Sequence, residues 1–148
     1  MAEGRKVVAS NRRARHNYEI LDTFEAGMVL KGSEVKSLRA SQVQLKDAYA
    51  TLQDGELWLE NAHIAPYSYA TSGGHDPERK RKLLIHRREI DRLTGKVHEQ
   101  GLTLVPLQIY FVHGLAKIEI ALAKGRHTYD KRRKLVERQQ KREMDRAR

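Results

Sequence analysis

The charge imbalance of this chain lies at its two ends, so whatever folds must come from the middle. Of a formal net charge of +10, residues 126–148 supply ten Lys/Arg against four acids and residues 1–16 five against one, whereas residues 17–125 hold fourteen of each sign. Like charges side by side oppose compaction, so the ends are suited to meeting an anion rather than to building a core. Three segments follow: a basic N-terminal arm, 1–16; a neutral body, 17–125, long enough for a modest core; and a basic tail, 126–148. The chain has no cysteine, which excludes disulfides and thiolate chemistry and fits a reducing cytoplasm. No apolar run reaches the ~18 residues of a membrane span, and Met1–Lys6 lack the apolar stretch of a signal peptide, so neither is expected.

Within the body, apolar residues alternate in short segments. Ala48–Leu52 and Glu56–Ile64 flank Gln53-Asp54-Gly55, and Leu102–Val112 and Leu115–Ala123 flank His113-Gly114. Both read as hairpins. Leu57 and Leu59 share a face from which Trp58 points away, and Ala116, Ile118, Ile120 and Leu122 form a clean apolar face. A further hairpin is predicted from Tyr18–Phe24 and Met28–Leu30, with Gly27 in the turn. Ser33–Arg39 reads as a short helix capped by Ser33. Arg87–Gln100 reads as a longer one, with Ile90, Leu93 and Val97 on one stripe and Gly101 as its stop. Residues 65–78, rich in Pro, Gly and Ser, read as a loop. Six strands in three hairpins, with no βαβ alternation, predict a mainly β fold with short helices. Edge protection favours an OB-like antiparallel β-barrel over a sandwich. The tail has no Gly or Pro and only Leu135, Val136 and Met144 as large aliphatics. It is expected to be disordered alone and helical when an anion neutralises it.

Three segments concentrate cations. In Asn11-Arg12-Arg13-Ala14-Arg15-His16, arginines alternate with small or polar residues, so guanidiniums reach phosphates while Asn11 and His16 offer base or ribose contacts. In Arg79–Arg88, six cations surround three aliphatics; Leu83 and Ile85 are assigned to the core, and the basic residues and Leu84 to contact with RNA. In Lys124–Arg133, Tyr129 is flanked by cations and suited to stacking on a base. Enzymatic signatures are absent. The seven histidines fall mostly in different elements, His75-Asp76 reads as a loop cap, and Glu25 and Glu34 read as turn and helix-start residues rather than a carboxylate pair. No cofactor or metal is expected.

Six blocks stand in order: Asn11–His16, Phe24–Gly27, Gly32–Arg39, Asp76-Pro77 with Arg81–His86, Gly101–Leu107, and Tyr129–Arg132. Together they resemble the SsrA-binding protein family, small protein B, the bacterial partner of transfer-messenger RNA in ribosome rescue. The resemblance implies an OB-like barrel holding the tRNA-like part of that RNA, delivered with elongation factor Tu, and a tail that becomes helical in the empty mRNA channel against small-subunit rRNA. It associates positions Asn11, Arg13, His16, Glu25, Lys36, Leu84, Lys117 and Lys124 with RNA binding. Combined with the cationic segments, the candidate RNA-binding set adds Arg15, Arg39, Arg81, Lys82 and His86. The candidate decoding-centre and mRNA-channel set is Gly125, Arg126, Tyr129, Asp130, Lys131, Arg132 and Arg133. Ser41-Gln42 stands where the family commonly has Gly-Lys, and Arg126-His127 where two lysines are usual. The rival readings are a general single-strand nucleic-acid binder on the same barrel, against which the low aromatic content of 6 % counts, and a small metallohydrolase using the histidines.

Overall fold

Two of the predicted turns organise the barrel. Asp54-Gly55 and His113-Gly114 have positive φ at both residues (53° and 73°, 51° and 79°), the backbone a two-residue hairpin requires to match strand twist. In the computed structural model, which describes residues 5–67 and 74–125, they join β4 (Tyr49–Gln53) to β5 (Glu56–Glu60) and β8 (Thr103–Val112) to β9 (Leu115–Gly125). The other elements are β1 (Arg5–Ser10), α1 (Ala14–Asn17), β2 (Tyr18–Met28), α2 (Gly32–Arg39), β3 (Val43–Gln44), β6 (His63–Ile64), β7 (Arg81–Leu84) and α3 (Arg87–Gln100). The main sheet runs β1-β8-β4-β5-β7-β2-β9, and β9 returns to β8, which closes an antiparallel barrel of OB-like form. β3 and β6 pair separately.

Leu57, Leu59, Leu83, Leu104, Ile109, Ile118 and Ile120 fill the interior, and Leu38 of α2 and Leu93 of α3 join the same cluster. The predicted α3 and its stop match: Arg87–Gln100, then Gly101 in the left-handed region. A second apolar layer lies outside the barrel. Ala14 of α1 packs on Val105, Leu107, Ala121 and Ala123, where the small side chains of β9 let the helix approach closely.

Four expectations are corrected. Residues 18–30 form no hairpin: β2 is one strand of 11 residues, and Gly27 pairs with Lys117 on one side and Leu84 on the other. Glycine here marks a floor between two long side chains rather than a turn. Glu56–Ile64 is two strands, because Asn61 at φ 60° breaks the ladder. The N-cap of α2 is Lys31, not Ser33, whose hydroxyl instead meets His75 Nδ1 at 2.8 Å. Since His75 Nε2 faces the carbonyl of Ile64 at 2.9 Å, Nε2 carries the hydrogen and Nδ1 accepts from Ser33. Part of the basic arm, to which the sequence assigned no element, is a strand: β1 pairs with β8 from Arg5↔Val112 to Ser10↔Gln108. Ser41 stands at φ 56°, a backbone that favours glycine.

The largest correction is Arg81. Its side chain is fully buried and contacts no solvent. Nε donates to Glu34 Oε2 at 2.6 Å, Nη1 to the carbonyl of Ala62 at 2.6 Å, and Nη2 to those of Asp76 and Pro77 at 3.3 and 3.1 Å. Glu34, also fully buried, further accepts from Arg79 Nη2 at 2.5 Å and from the Lys31 backbone N–H at 2.8 Å. One carboxylate thus caps α2 and clamps β7. Asp76 behaves as a loop cap, accepting the N–H of Glu78 at 3.0 Å.

Burial alone pushes the Glu34 carboxyl upward, but the hydrogen bonds from Arg79, Lys31 and Arg81 outweigh it and hold the pKa below the ordinary value of 4.5. A depressed carboxyl stabilises the fold at pH above 4.5, and that contribution is lost as pH falls below it through the lowered value. Glu34→Gln is therefore expected to flatten the fall of Tm with acid in this window, and Arg81→Met to lower stability by about 3–5 kcal/mol at pH 7, because it leaves Glu34 buried and short of its fully buried cationic partner. Thermal and urea unfolding between pH 3 and 7 check both.

Candidate nucleic-acid interface

Strand alternation builds the site. On β2, Phe24 and Ala26 turn to the core, and Glu25 and Gly27 turn outward. On β7, Arg81 and Leu83 go in, and Lys82 and Leu84 go out. On β9, Ile118 and Ile120 go in, leaving Lys117 and Glu119 outside. Cross-strand pairing then lays two rows over the outer surface. One is Leu84–Gly27–Lys117–Tyr110; the other is Glu25–Glu119–Gln108. α3 begins two residues after β7 and brings His86, Arg87 and Arg88 over the edge of this face.

The result is an open groove of about 1070 Å³, walled by Phe24, Glu25, Leu84, Ile85, His86, Arg87, Arg88, Glu89 and Lys117 with Gly27 in its floor. A Cβ on Gly27 would stand 3.6 Å from Leu84 Cβ and 3.8 Å from Lys117 Nζ, so any side chain there would fill the floor. Leu84, 53 % exposed, offers an apolar surface among cations. Glu25 accepts from the Tyr110 hydroxyl at 2.5 Å and lies 3.8 Å from the Arg5 guanidinium, which itself stacks 3.8 Å from the Tyr110 ring centre. Burial first, then the carboxylate of Glu25, raise the Tyr110 pKa, so the hydroxyl stays protonated and donates.

The arm supplies a second, adjoining surface. Asn11 is tied to β8 through its N–H to the carbonyl of Leu107 (2.7 Å) and its Nδ2 to that of Pro106 (3.1 Å). Around it Arg12, Arg13, Arg15 and His16 are exposed. Arg12 and Arg15 line a hollow of about 360 Å³ together with Gln108 and Glu119. Because Glu119 stands opposite Glu25, arm and groove meet at this carboxylate pair. Lys124 and Gly125 pair with Glu19 and Tyr18, so β9 ends beside α1.

The structure thus brings Glu25, Leu84, His86 and Lys117 into one groove, with Asn11, Arg13, Arg15 and His16 next to it. It does not gather the rest. Lys82 pairs with Glu56 at 2.8 Å. It sits opposite the half-buried Trp58, whose ring lies 4.7 Å from Lys80 Nζ. Lys36 and Arg39 stand on α2, near the rings of Tyr67 and Phe111, outside the groove lining. Arg81 is in the core, as described. Leu83 is core as expected, and Ile85 packs against it. Arg126, Tyr129, Asp130, Lys131, Arg132 and Arg133 lie outside the described residues. Glu25 and Glu34 form no pair, since each binds different partners. Sequence reasoning missed Arg5, Tyr110, Gln108 and Glu119. Gln108 and Tyr110 interrupt an apolar strand at period two, a signal that they share the outer face. Among the described residues, no three His, Asp or Glu side chains assemble to hold a metal ion, and no helix is long and apolar enough to cross a membrane.

A family model described as SmpB protein matches residues 8–148. The chain belongs to the SmpB protein family. It is 57 % identical over 144 residues to the SsrA-binding protein of Frankia casuarinae, covering 97 % of this chain and 91 % of that one. It is 60 % identical over 145 residues to that of Salinispora arenicola, covering 98 % and 91 %. A solved structure described as "tmRNA-SmpB: a journey to the center of the bacterial ribosome" is similar with a TM-score of 0.65 and 58 % identity, covering 78 % of this chain and 82 % of that one. The family assignment and the OB-like fold expected from the six sequence blocks both hold.

Alternation makes adjacent leucines unequal. Leu83→Ala is expected to destabilise by about 2–5 kcal/mol, and Leu84→Ala by less than about 0.5 kcal/mol. Urea unfolding of the two variants checks the assignment of Leu84 to the open face.

Proposed function

We propose that this chain is an RNA-binding adaptor of trans-translation. It binds the tRNA-like part of transfer-messenger RNA through the groove and arm. It accompanies that RNA, delivered with elongation factor Tu, to stalled ribosomes in the bacterial cytoplasm. Its tail, from Gly125 through Arg126, Tyr129, Asp130, Lys131, Arg132 and Arg133, occupies the vacant mRNA channel and decoding centre against small-subunit rRNA. It catalyses nothing: the contacts substitute for those a codon–anticodon duplex supplies, so the nascent peptide is tagged and the ribosome released. The family relationship supports this reading, as does the description of the similar structure as a tmRNA–SmpB complex of the ribosome.

The observation that carries it furthest is the groove itself. Three long cationic side chains, Arg87, Arg88 and Lys117, surround an exposed aliphatic, Leu84, and a carboxylate, Glu25. Cations hold phosphates without regard to sequence, while the leucine and the carboxylate suit a sugar face and a hydrogen donor of folded RNA. A general single-strand binder needs exposed aromatic platforms. The one aromatic lining the groove is Phe24, which is packed against the core.

The chain is expected to bind a tRNA-like RNA at least tenfold more tightly than an unstructured RNA of equal length; equal affinity in a filter or fluorescence titration overturns the adaptor reading. Affinity should fall steeply with salt, as counterion release requires. Deleting 126–148 should leave RNA affinity within roughly tenfold, because the specific contacts are assigned to the body and arm, while abolishing peptide tagging in a stalled-ribosome assay. Tagging by the truncated chain would refute the division of labour.

A further inference from the structure

The outer face carries an oddity for a surface that meets a polyanion: two carboxylates stand directly opposite each other, Glu25 on β2 and Glu119 on β9. Like charges in this position repel. Each accepts a hydrogen bond from a neutral donor on β8. Gln108 Nε2 donates to Glu119 Oε1 at 3.3 Å, and the Tyr110 hydroxyl donates to Glu25 Oε2 at 2.5 Å. The Arg5 guanidinium makes a longer contact with Glu25, at 3.8 Å, and also sits 3.8 Å from the Tyr110 ring centre. Glu25 is 46 % exposed.

Tyr110 reaches Glu25 diagonally. Its own row runs through Lys117 to Gly27, and the missing side chain at Gly27 leaves that row open. The ring is buried, and packing alone would be served as well by phenylalanine. The hydroxyl finds its acceptor on a half-exposed acid that water could solvate, so folding has little use for the bond.

We propose that Tyr110 is a positioning residue for RNA recognition: its hydroxyl, backed by the stacked Arg5 guanidinium, engages Glu25 Oε2 and leaves Oε1 as a fixed acceptor for an amino, imino or 2′-hydroxyl hydrogen of the bound RNA. This rests on the RNA-binding reading above. A phosphate is repelled at that point, so the acceptor sets where the backbone turns away and where a hydrogen donor must sit. The raised Tyr110 pKa keeps the donor intact across the working pH range. Without the hydroxyl, Glu25 is free to swing away from Glu119, and the acceptor loses its place.

The test is a double-mutant cycle on the full chain with a labelled tRNA-like RNA at fixed salt. Tyr110→Phe is expected to weaken binding roughly three- to tenfold, the range of one ordinary hydrogen bond, because the effect on the RNA is indirect, with Tm almost unchanged. In a Glu25→Ala background the same change should alter affinity less than about twofold, because the group it positions is gone. Arg5→Ala, at the edge strand, should show a smaller loss that also vanishes in that background, and it serves as the independent variant if Tyr110→Phe folds poorly. Wild-type affinity for Tyr110→Phe, or an equal loss with and without Glu25, overturns the proposal while leaving the RNA reading in place. A wild-type chain with no preference for tRNA-like over unstructured RNA removes the reading itself.

Discussion

The buried pair of Glu34 and Arg81 is the constraint on which the rest of the arrangement depends. Two full charges with no solvent contact are tolerable only when every donor and acceptor is used, and here they are: α2 is capped, β7 is clamped, and the carbonyls of Ala62, Asp76 and Pro77 are held by one guanidinium. No buried side-chain nitrogen or oxygen among the described residues lacks a partner. Because β7 is only four residues long, pinning Arg81 inward sets the orientation of the whole strand. Leu83 must follow it into the core, and Lys82 and Leu84 must face out. The exposed leucine of the groove is thus a consequence of a buried arginine three residues earlier.

The same logic places the other wall. Phe24 and Ala26 pack inward, which leaves Glu25 and Gly27 to the surface, and the registers of β2, β9 and β8 bring Lys117, Glu119, Tyr110 and Gln108 alongside. Bulges in both β2 and β8 shift the register next to this region, between Ile20 and Asp22 and between Pro106 and Gln108. On one side of them the outer face is apolar and covered by α1; on the other it is polar and open. A bulge that re-aims side chains beside a functional surface is a common use of that irregularity.

Much of the fold was legible along the chain, for local reasons. Asp54-Gly55 and His113-Gly114 specify hairpins through backbone sterics alone, and Arg87–Gln100 carries both its stripe and its stop. Errors came where a local signal had a tertiary explanation. Gly27 looked like a turn because glycine usually marks one; it is a strand residue whose missing side chain leaves room for Lys117 and Leu84. Arg5–Ser10 was read only as part of a basic arm because edge-strand charge hides a short β pattern; β8 offers it a free edge, and it pairs there. The site was legible in part. Glu25, Leu84, His86 and Lys117 were found, whereas Tyr110 and Glu119 were hidden inside strands that read as core.

By itself, the sequence determined the segregation of charge, the antiparallel hairpins, the main helix and the family, because these depend on spacing and on neighbours a few residues apart. Only the tertiary structure decided which cations are available. Arg81 and Arg88 belong to one basic run, yet one is sealed in the core against Glu34 and the other lines the groove. Charge is written residue by residue, but whether it meets solvent depends on a partner 47 positions away, and that pairing exists only once the barrel has closed.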